Sequence, residues 1–239
     1  MLNKFIFDVD GTLTPSRGLI NPEFKQFFNQ FCRNNPVYLV TGSDKVKTVE
    51  QIGEDTYNLC HTVYNCSGND VWQGNKHVRT SDWQLPTLAR DFLNNCLYES
   101  DFSIRTGNHI EERPGMVNFS IVGRNANLEQ RQAWLNYEEW NGDRRRIADA
   151  FNIMFSDLEA RPGGETGIDI APKGLDKSQI VVDFDPDDYI VFFGDAMHQG
   201  GNDEPLADAL FKSYPGTNHW IEGWKETWRI LDENYVNRP

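Results

Sequence analysis

Three short apolar runs constrain this chain's fold more than any other feature, because each stops abruptly at small, acidic or hydroxyl residues. Phe5-Ile6-Phe7 ends at Asp8, Val37-Tyr38-Leu39-Val40 at Thr41-Gly42-Ser43, and Tyr189-Ile190-Val191-Phe192-Phe193 at Gly194-Asp195. Strands that are apolar without alternation are buried on both faces, the condition of a parallel sheet flanked by helices. Helix signals lie between them. Asn21-Pro22 opens one helix, with Asn as cap and Pro in first position, and Phe24, Phe27, Phe28 and Phe31 form its core stripe. A second starts at Asp44, with Val46, Val49 and Ile52 expected on one side.

The middle of the chain has a different rhythm. Leu85, Leu88, Ala89, Phe92 and Cys96 mark a helix. Val117, Phe119 and Ile121 alternate with Asn118, Ser120 and Val122, the pattern of a half-buried antiparallel strand. Asn127-Leu128-Glu129-Gln130 starts a helix with a capping box, and another runs from Arg144 to Phe155 with Ile147, Phe151 and Met154 inward. Ile168 and Ile170 then alternate with Gly167 and Asp169. The expected architecture is an α/β core with a parallel sheet, residues 1–79 with 177–239, interrupted by an inserted α+β cap domain, residues 80–176.

Composition excludes several classes. With 23 basic and 36 acidic residues the formal charge is −13, which repels a phosphate backbone and argues against nucleic-acid binding. No apolar run approaches the ~20 residues of a membrane helix, so no membrane partner is expected. Cys32, Cys60, Cys66 and Cys96 are too few and too scattered for a disulfide framework. Met1-Leu2-Asn3-Lys4 leads directly into a short apolar run, without the longer apolar region of a signal peptide. A reducing, cytoplasmic location is the expectation.

The chemistry begins at Asp8-Val9-Asp10-Gly11-Thr12. In an open α/β sheet the carboxyl ends of the strands form the ligand crevice, and two carboxylates spaced i, i+2 leave a strand on one side. One can attack phosphorus while the other handles a proton. Alone, the motif reads equally well as surface aspartates at a turn. Further pieces follow in order: Thr41-Gly42-Ser43, then Lys177 within Lys173-Gly174-Leu175-Asp176-Lys177, then Gly194-Asp195, then Gly200-Gly201-Asn202-Asp203. Together they supply a nucleophile, a proton shuttle, phosphate-binding hydroxyls, a neutralising lysine and metal-binding carboxylates.

In these motifs the chain resembles the haloacid dehalogenase superfamily of phosphotransferases. The resemblance implies a Rossmann-like core, Mg²⁺ and an aspartyl-phosphate intermediate, with Asp8 as nucleophile, Asp10 as general acid–base and Lys177 as the phosphate-neutralising lysine. It implies Thr41 or Ser43 as the phosphate-binding hydroxyl, and a metal held by Asp8, the Asp10 carbonyl and Asp195, steadied by Asp203. Asp8 through Arg17 and Arg113 through Arg124 further resemble the eukaryotic-type phosphomannomutases, as do Gly164 through Lys177 and Phe193 through Asp203. That likeness implies a phosphate site on Arg113, Arg124 and Arg131 with Arg17, sugar contacts from Asn118 and Asp169, a hexose 1,6-bisphosphate activator and a homodimer through the cap. The sequence departs from that pattern at Gly167, where the family carries Ser, at Pro114 in place of Asn, and at Thr41 in place of Gly.

The cap arginines can be weighed on their own. Arg124 has the same strand parity as Asn118 and Ser120, so these polar groups can share one face, and guanidinium groups bind phosphate bidentately. Their alternative is pairing with Glu111, Glu112 and Glu129 on a solvated face. Arg144-Arg145-Arg146 reads as such a face, Trp220, Trp224 and Trp228 as one packed helix stripe, and His198 as a surface residue. The leading expectation is a phosphohexomutase interconverting mannose 6-phosphate and mannose 1-phosphate. A Mg²⁺-dependent sugar-phosphate phosphatase, with water attacking the same intermediate, is the alternative enzyme; a silent sugar-phosphate-binding protein is the third.

Overall fold

The computed structural model describes residues 3–16 and 18–236. Its strands are β1 (Lys4–Phe7), β2 (Val37–Val40), β3 (Thr62–Asn65), β4 (Asp70–Gln73), β5 (Lys76–Thr80), β6 (Ile110–Arg113), β7 (Met116–Phe119), β8 (Leu158–Gly163), β9 (Gly167–Pro172), β10 (Ile190–Gly194) and β11 (Gly216–Trp220). Its helices are α1 (Pro22–Asn34), α2 (Lys45–Ile52), α3 (Glu54–Leu59), α4 (Thr87–Glu99), α5 (Leu128–Asn141), α6 (Asp143–Met154), α7 (Glu204–Ser213) and α8 (Trp224–Leu231). The chain divides into two compact units, Met1–Thr80 with Gly174–Pro239, and Ser81–Lys173.

The first unit is built on a seven-stranded sheet in the order β11-β10-β1-β2-β3-β4-β5. The five strands from β11 to β3 are parallel, and β4 and β5 add antiparallel at the edge. Sequence reasoning did not anticipate that hairpin, since β5 is exposed along its length and carries no apolar signal. In register, Phe7 sits between Leu39 and Phe193, so Asp8, Thr41 and Gly194 emerge at one carboxyl edge. Phe24, Phe28 and Phe31 of α1 are buried in a core with Phe5, Phe7 and Phe193, and the Phe7 and Phe193 rings stack at 4.9 Å. Asn21 caps α1, accepting from the Glu23 and Phe24 amides at 3.0 and 3.1 Å.

The second unit is a four-stranded antiparallel sheet, order β6-β7-β9-β8, with helices α4, α5 and α6. Val117, Phe119, Ile168 and Ile170 share its core with Leu93, Trp134 and Phe151. The Asn127–Gln130 capping box forms in both directions.

Several expected core positions turn outward. Val46 is exposed while Ile52 is buried, because six helical residues rotate the chain by about 240° and a two-turn helix buries only one of those faces. Leu88, in the first turn of α4, and Met154, the last residue of α6, are also exposed, where a helix end has little left to pack against. Trp220 ends β11 rather than joining a helix stripe and is 61% exposed, whereas Trp224 and Trp228 stack on Phe24. Among the described residues no helix is long and apolar enough to cross a membrane.

His219 of β11 stacks on Phe193 at 4.6 Å, with Nε2 2.8 Å from the Tyr235 hydroxyl. Burial holds its pKa below the ordinary 6.5. The unfolded chain therefore takes up this proton first, so the contribution is complete above that value and is lost as pH falls below it. The urea midpoint should drop between about pH 7 and about pH 5, and His219→Phe should flatten that slope.

Candidate active site

Asp8 follows β1 directly, its amide donating to the Phe193 carbonyl at 3.0 Å. Lys177 opens a short helical turn, Lys177–Asp183, capped by Asp176. Its side chain is 1% exposed, and its ammonium donates to Asp8 Oδ1 at 2.6 Å and Asp203 Oδ1 at 2.7 Å. The other Asp203 oxygen accepts from the Ala196 amide at 3.0 Å. Asp195 comes straight after β10, and one oxygen each from Asp8, Asp195 and Asp203 lie within 4.8 Å of one another.

Three carboxylates thus face one ammonium. Burial pushes the Asp8 carboxyl up to about 8, with the Asp203 and Asp195 charges adding to the rise and Lys177 opposing it. Burial and Asp203 also raise Asp195. Burial alone would lower Lys177, but Asp203 and Asp8 outweigh it and the ammonium stays charged. Such a cluster fits a hard divalent cation, which prefers oxygen donors and would offset the remaining negative charge. Gly11 makes the approach of Asp195 feasible: its φ is +80°, and a Cβ there would lie 2.3 Å from Asp195 Oδ2. Thr12 is buried, and its hydroxyl has no hydrogen-bond partner among the described residues.

The Asp10 carboxylate is not one of that trio. Its Oδ1 accepts from Gln51 Nε2 at 2.8 Å. Beyond β2, the Thr41 hydroxyl accepts from the Ser43 amide at 3.1 Å, so Thr41 shapes the turn and Ser43 stands at its end. This loop is gripped from β3. The Cys66 amide donates to Ser43 O at 2.9 Å and the Ser67 amide to Thr41 O at 2.8 Å. Gln179, two residues from Lys177, donates to Ser67 O at 2.8 Å. Cys66 and Ser67 hold φ of 49° and 58°, left-handed without being glycine, a conformation that persists only where the surroundings over-determine it.

The second unit carries its own polar set. Asn118 and Asp169 are directly opposed in the sheet, and Asn118 Nδ2 donates to Asp169 Oδ1 at 2.6 Å. Arg124 donates to Asn118 Oδ1 at 3.2 Å and pairs with Glu111, which also takes Arg113 at 3.2 Å. Arg131 pairs with Glu165 at 2.8 Å, rather than with Glu129. Strand parity does not explain Arg124: β7 ends at Phe119, and the turn at Gly123, φ +88°, brings Arg124 back to Asn118. At Gly167 a Cβ would lie 2.5 Å from Asn118 Nδ2, so the missing side chain is what lets the Asn118 amide occupy that space. Arg145 and Arg146 are exposed as expected, while Arg144 is tied to Glu138 and the Gly164 carbonyl. Arg17 lies outside the described residues. His198 is exposed as expected, and its ring lies 6.2 Å from Trp220, whose indole N–H donates to the Asp195 carbonyl at 2.8 Å.

Sequence reasoning missed Gln51 and the Cys66-Ser67 clamp. Gln51 occupies an ordinary polar position in an amphipathic helix, and nothing in Cys66-Ser67 announces left-handed backbone. Glu165 could have been found only as one of many acidic residues.

The family described as eukaryotic phosphomannomutase matches residues 24–237, beginning beyond Asp8 and Asp10. The chain is 31% identical over 235 residues to a probable phosphomannomutase of Caenorhabditis elegans, covering 93% of this chain and 91% of that one. It is 33% identical over 216 residues to a phosphomannomutase of Oryza sativa subsp. indica, covering 85% and 86%. Among solved structures, the fold is similar to a haloacid dehalogenase-like hydrolase from Bacteroides thetaiotaomicron, with TM-score 0.63, 12% identity and coverage of 98% and 100%. It is also similar to the IMP-nucleotidase of Plasmodium falciparum, with TM-score 0.61, 15% identity and coverage of 97% and 67%.

Lys177→Met should leave Asp8 and Asp203 buried without a counter-charge. Urea unfolding of the metal-free variant should show a loss of about 3–5 kcal/mol. A loss under about 1 kcal/mol, the range of an exposed pair, would contradict the electrostatic role given to Lys177.

Proposed function

This chain belongs to the eukaryotic phosphomannomutase family, and on that premise we propose that it interconverts mannose 6-phosphate and mannose 1-phosphate through a phosphoryl group carried on Asp8. The observation that carries this reading is the buried Lys177 ammonium on Asp8 Oδ1. It holds one carboxylate oxygen and leaves the other for in-line attack, next to a charge that draws in phosphate.

In the proposed sequence a hexose 1,6-bisphosphate first charges Asp8. An Asp8 oxygen bonds to phosphorus, the bond from phosphorus to the sugar oxygen breaks, and Asp10 protonates that oxygen. In the return step Asp10 takes the proton from the other hydroxyl as it attacks the aspartyl phosphate. Mg²⁺ held by Asp8, Asp195 and the Asp10 carbonyl, with Asp203 behind, would neutralise phosphoryl oxygens. Thr41 or Ser43 would supply the hydroxyl for phosphate: Thr41 Oγ1 accepts from the Ser43 amide and can still donate its own hydrogen.

The phosphate that is not reacting is assigned to Arg113, Arg124 and Arg131 with Arg17, and the sugar hydroxyls to Asn118 and Asp169. Arg113 and Arg124 pair with Glu111 and Arg131 with Glu165, which offsets part of their charge; each guanidinium carries five N–H donors, enough to serve a phosphate beside a carboxylate. A homodimer through the cap and a cytoplasmic location complete the reading, on family likeness alone.

Phosphorus NMR with Mg²⁺, mannose 1-phosphate and catalytic hexose 1,6-bisphosphate tests it. The 6-phosphate signal should appear without free phosphate, and Asp8→Asn should abolish it. Inorganic phosphate as the main product would replace the mutase with a phosphatase. Turnover that survives Asp8→Asn would remove the aspartyl-phosphate mechanism.

A further inference from the structure

Trp220 is the last residue of β11, opposite Gly194 in the register of the sheet, and 61% of it is exposed. So exposed a ring gains little from burial, but its nitrogen has a specific contact. The main chain at this end of β11 reaches as far as Gly194, whose carbonyl accepts from the Ile221 amide at 3.1 Å. The Trp220 indole N–H carries the contact one residue further and donates to the Asp195 carbonyl at 2.8 Å. That carbonyl belongs to the peptide group joining Asp195 to Ala196. The N–H of the same group donates to Asp203 Oδ2 at 3.0 Å, and the Asp203 amide donates back to the Ala196 carbonyl at 3.2 Å. One rigid peptide plane is therefore held at its oxygen by Trp220 and at its nitrogen by Asp203. Asp195 and Asp203 both belong, with Asp8, to the trio whose oxygens lie within 4.8 Å of one another.

We infer that Trp220 is a positioning residue for a divalent cation: its indole N–H sets the plane of the Asp195–Ala196 peptide, and so the spacing of the Asp195 and Asp203 carboxylates. The assignment rests on the reading of the trio as the cation site. Turning that plane shifts the Asp195 backbone and withdraws the Ala196 N–H from Asp203, so both carboxylates lose their aim together. Water can satisfy the Asp195 carbonyl in place of the indole, since Trp220 lies at the surface, but a mobile water does not fix its direction. Trp224 and Trp228 differ in this, because their rings stack on Phe24 and act through packing.

Mn²⁺ titration of the full chain without substrate, followed by the electron paramagnetic resonance of the free ion, tests this. Trp220→Phe keeps a flat ring and removes the donor. It should bind Mn²⁺ about 10-fold more weakly than the parent. The urea midpoint of its metal-free form should stay unchanged, because the ring is mostly exposed. Trp228→Phe should show the opposite pattern, a lower midpoint with parental affinity. Asp195→Asn removes a ligand charge and should weaken binding further than Trp220→Phe does. If Asp195→Asn weakens binding and Trp220→Phe stays within about threefold of the parent, the assignment to Trp220 is overturned while the cation site stands. A midpoint that falls together with the affinity makes Trp220 a packing residue and overturns the assignment too. If Asp195→Asn binds Mn²⁺ like the parent, the trio is not the cation site and the Trp220 assignment fails with it.

Discussion

The buried ammonium of Lys177 is the contact on which the first unit depends. It joins Asp8, 169 residues away in sequence, to Asp203, 26 residues away. Removing three such ions from water costs several kcal/mol each, so they hold together only if each is matched. One positive charge cannot match Asp8, Asp203 and Asp195 together, and burial, with the neighbouring carboxylate charges adding to it, raises the Asp8 and Asp195 carboxyls. The same imbalance makes the trio a fitting site for a divalent cation, whose charge would offset it.

That cluster needs close approach, and local backbone supplies it. Gly11 clears the space that the Asp195 carboxylate fills. Across the sheet edge, the left-handed Cys66 and Ser67 cost about 1–3 kcal/mol each in conformational strain. Their amides and the Ser67 carbonyl make three hydrogen bonds, to the Thr41–Ser43 loop and to Gln179. Strain there is balanced by contacts that tie the Thr41–Ser43 loop to the turn carrying Lys177. In the second unit a similar economy of space appears at Gly167, where absence of a side chain admits the Asn118 amide.

Much of this could be read in advance because the signals were local. Unbroken apolar runs identified β1, β2 and β10, and Asn21 and Asn127 announced the helices they cap. Errors came where local rules meet element ends. Val46, Leu88 and Met154 lie in first or last turns, where apolar spacing does not guarantee a neighbour to cover it. Trp220 matched a helical period by coincidence, since its segment is a strand. Arg124 does lie beside Asn118, but a turn at Gly123 brings it there rather than strand alternation. The cap arginines are expected at a phosphate site, and the structure pairs Arg113 and Arg124 with one glutamate and Arg131 with another.

The sequence by itself determined the class of fold and the chemical inventory. Strand burial, turn glycines and the order of acidic, hydroxyl and lysine motifs are properties of consecutive residues, and physical chemistry acts on them wherever they occur. Only the tertiary structure decided the pairings: Lys177 between Asp8 and Asp203, Gln51 on Asp10, and Glu111 shared by two arginines. Hydrogen bonds and ion pairs act over a few ångströms. Which distant residues come within that reach depends on how the sheet orders its strands, and no spacing along the chain records it.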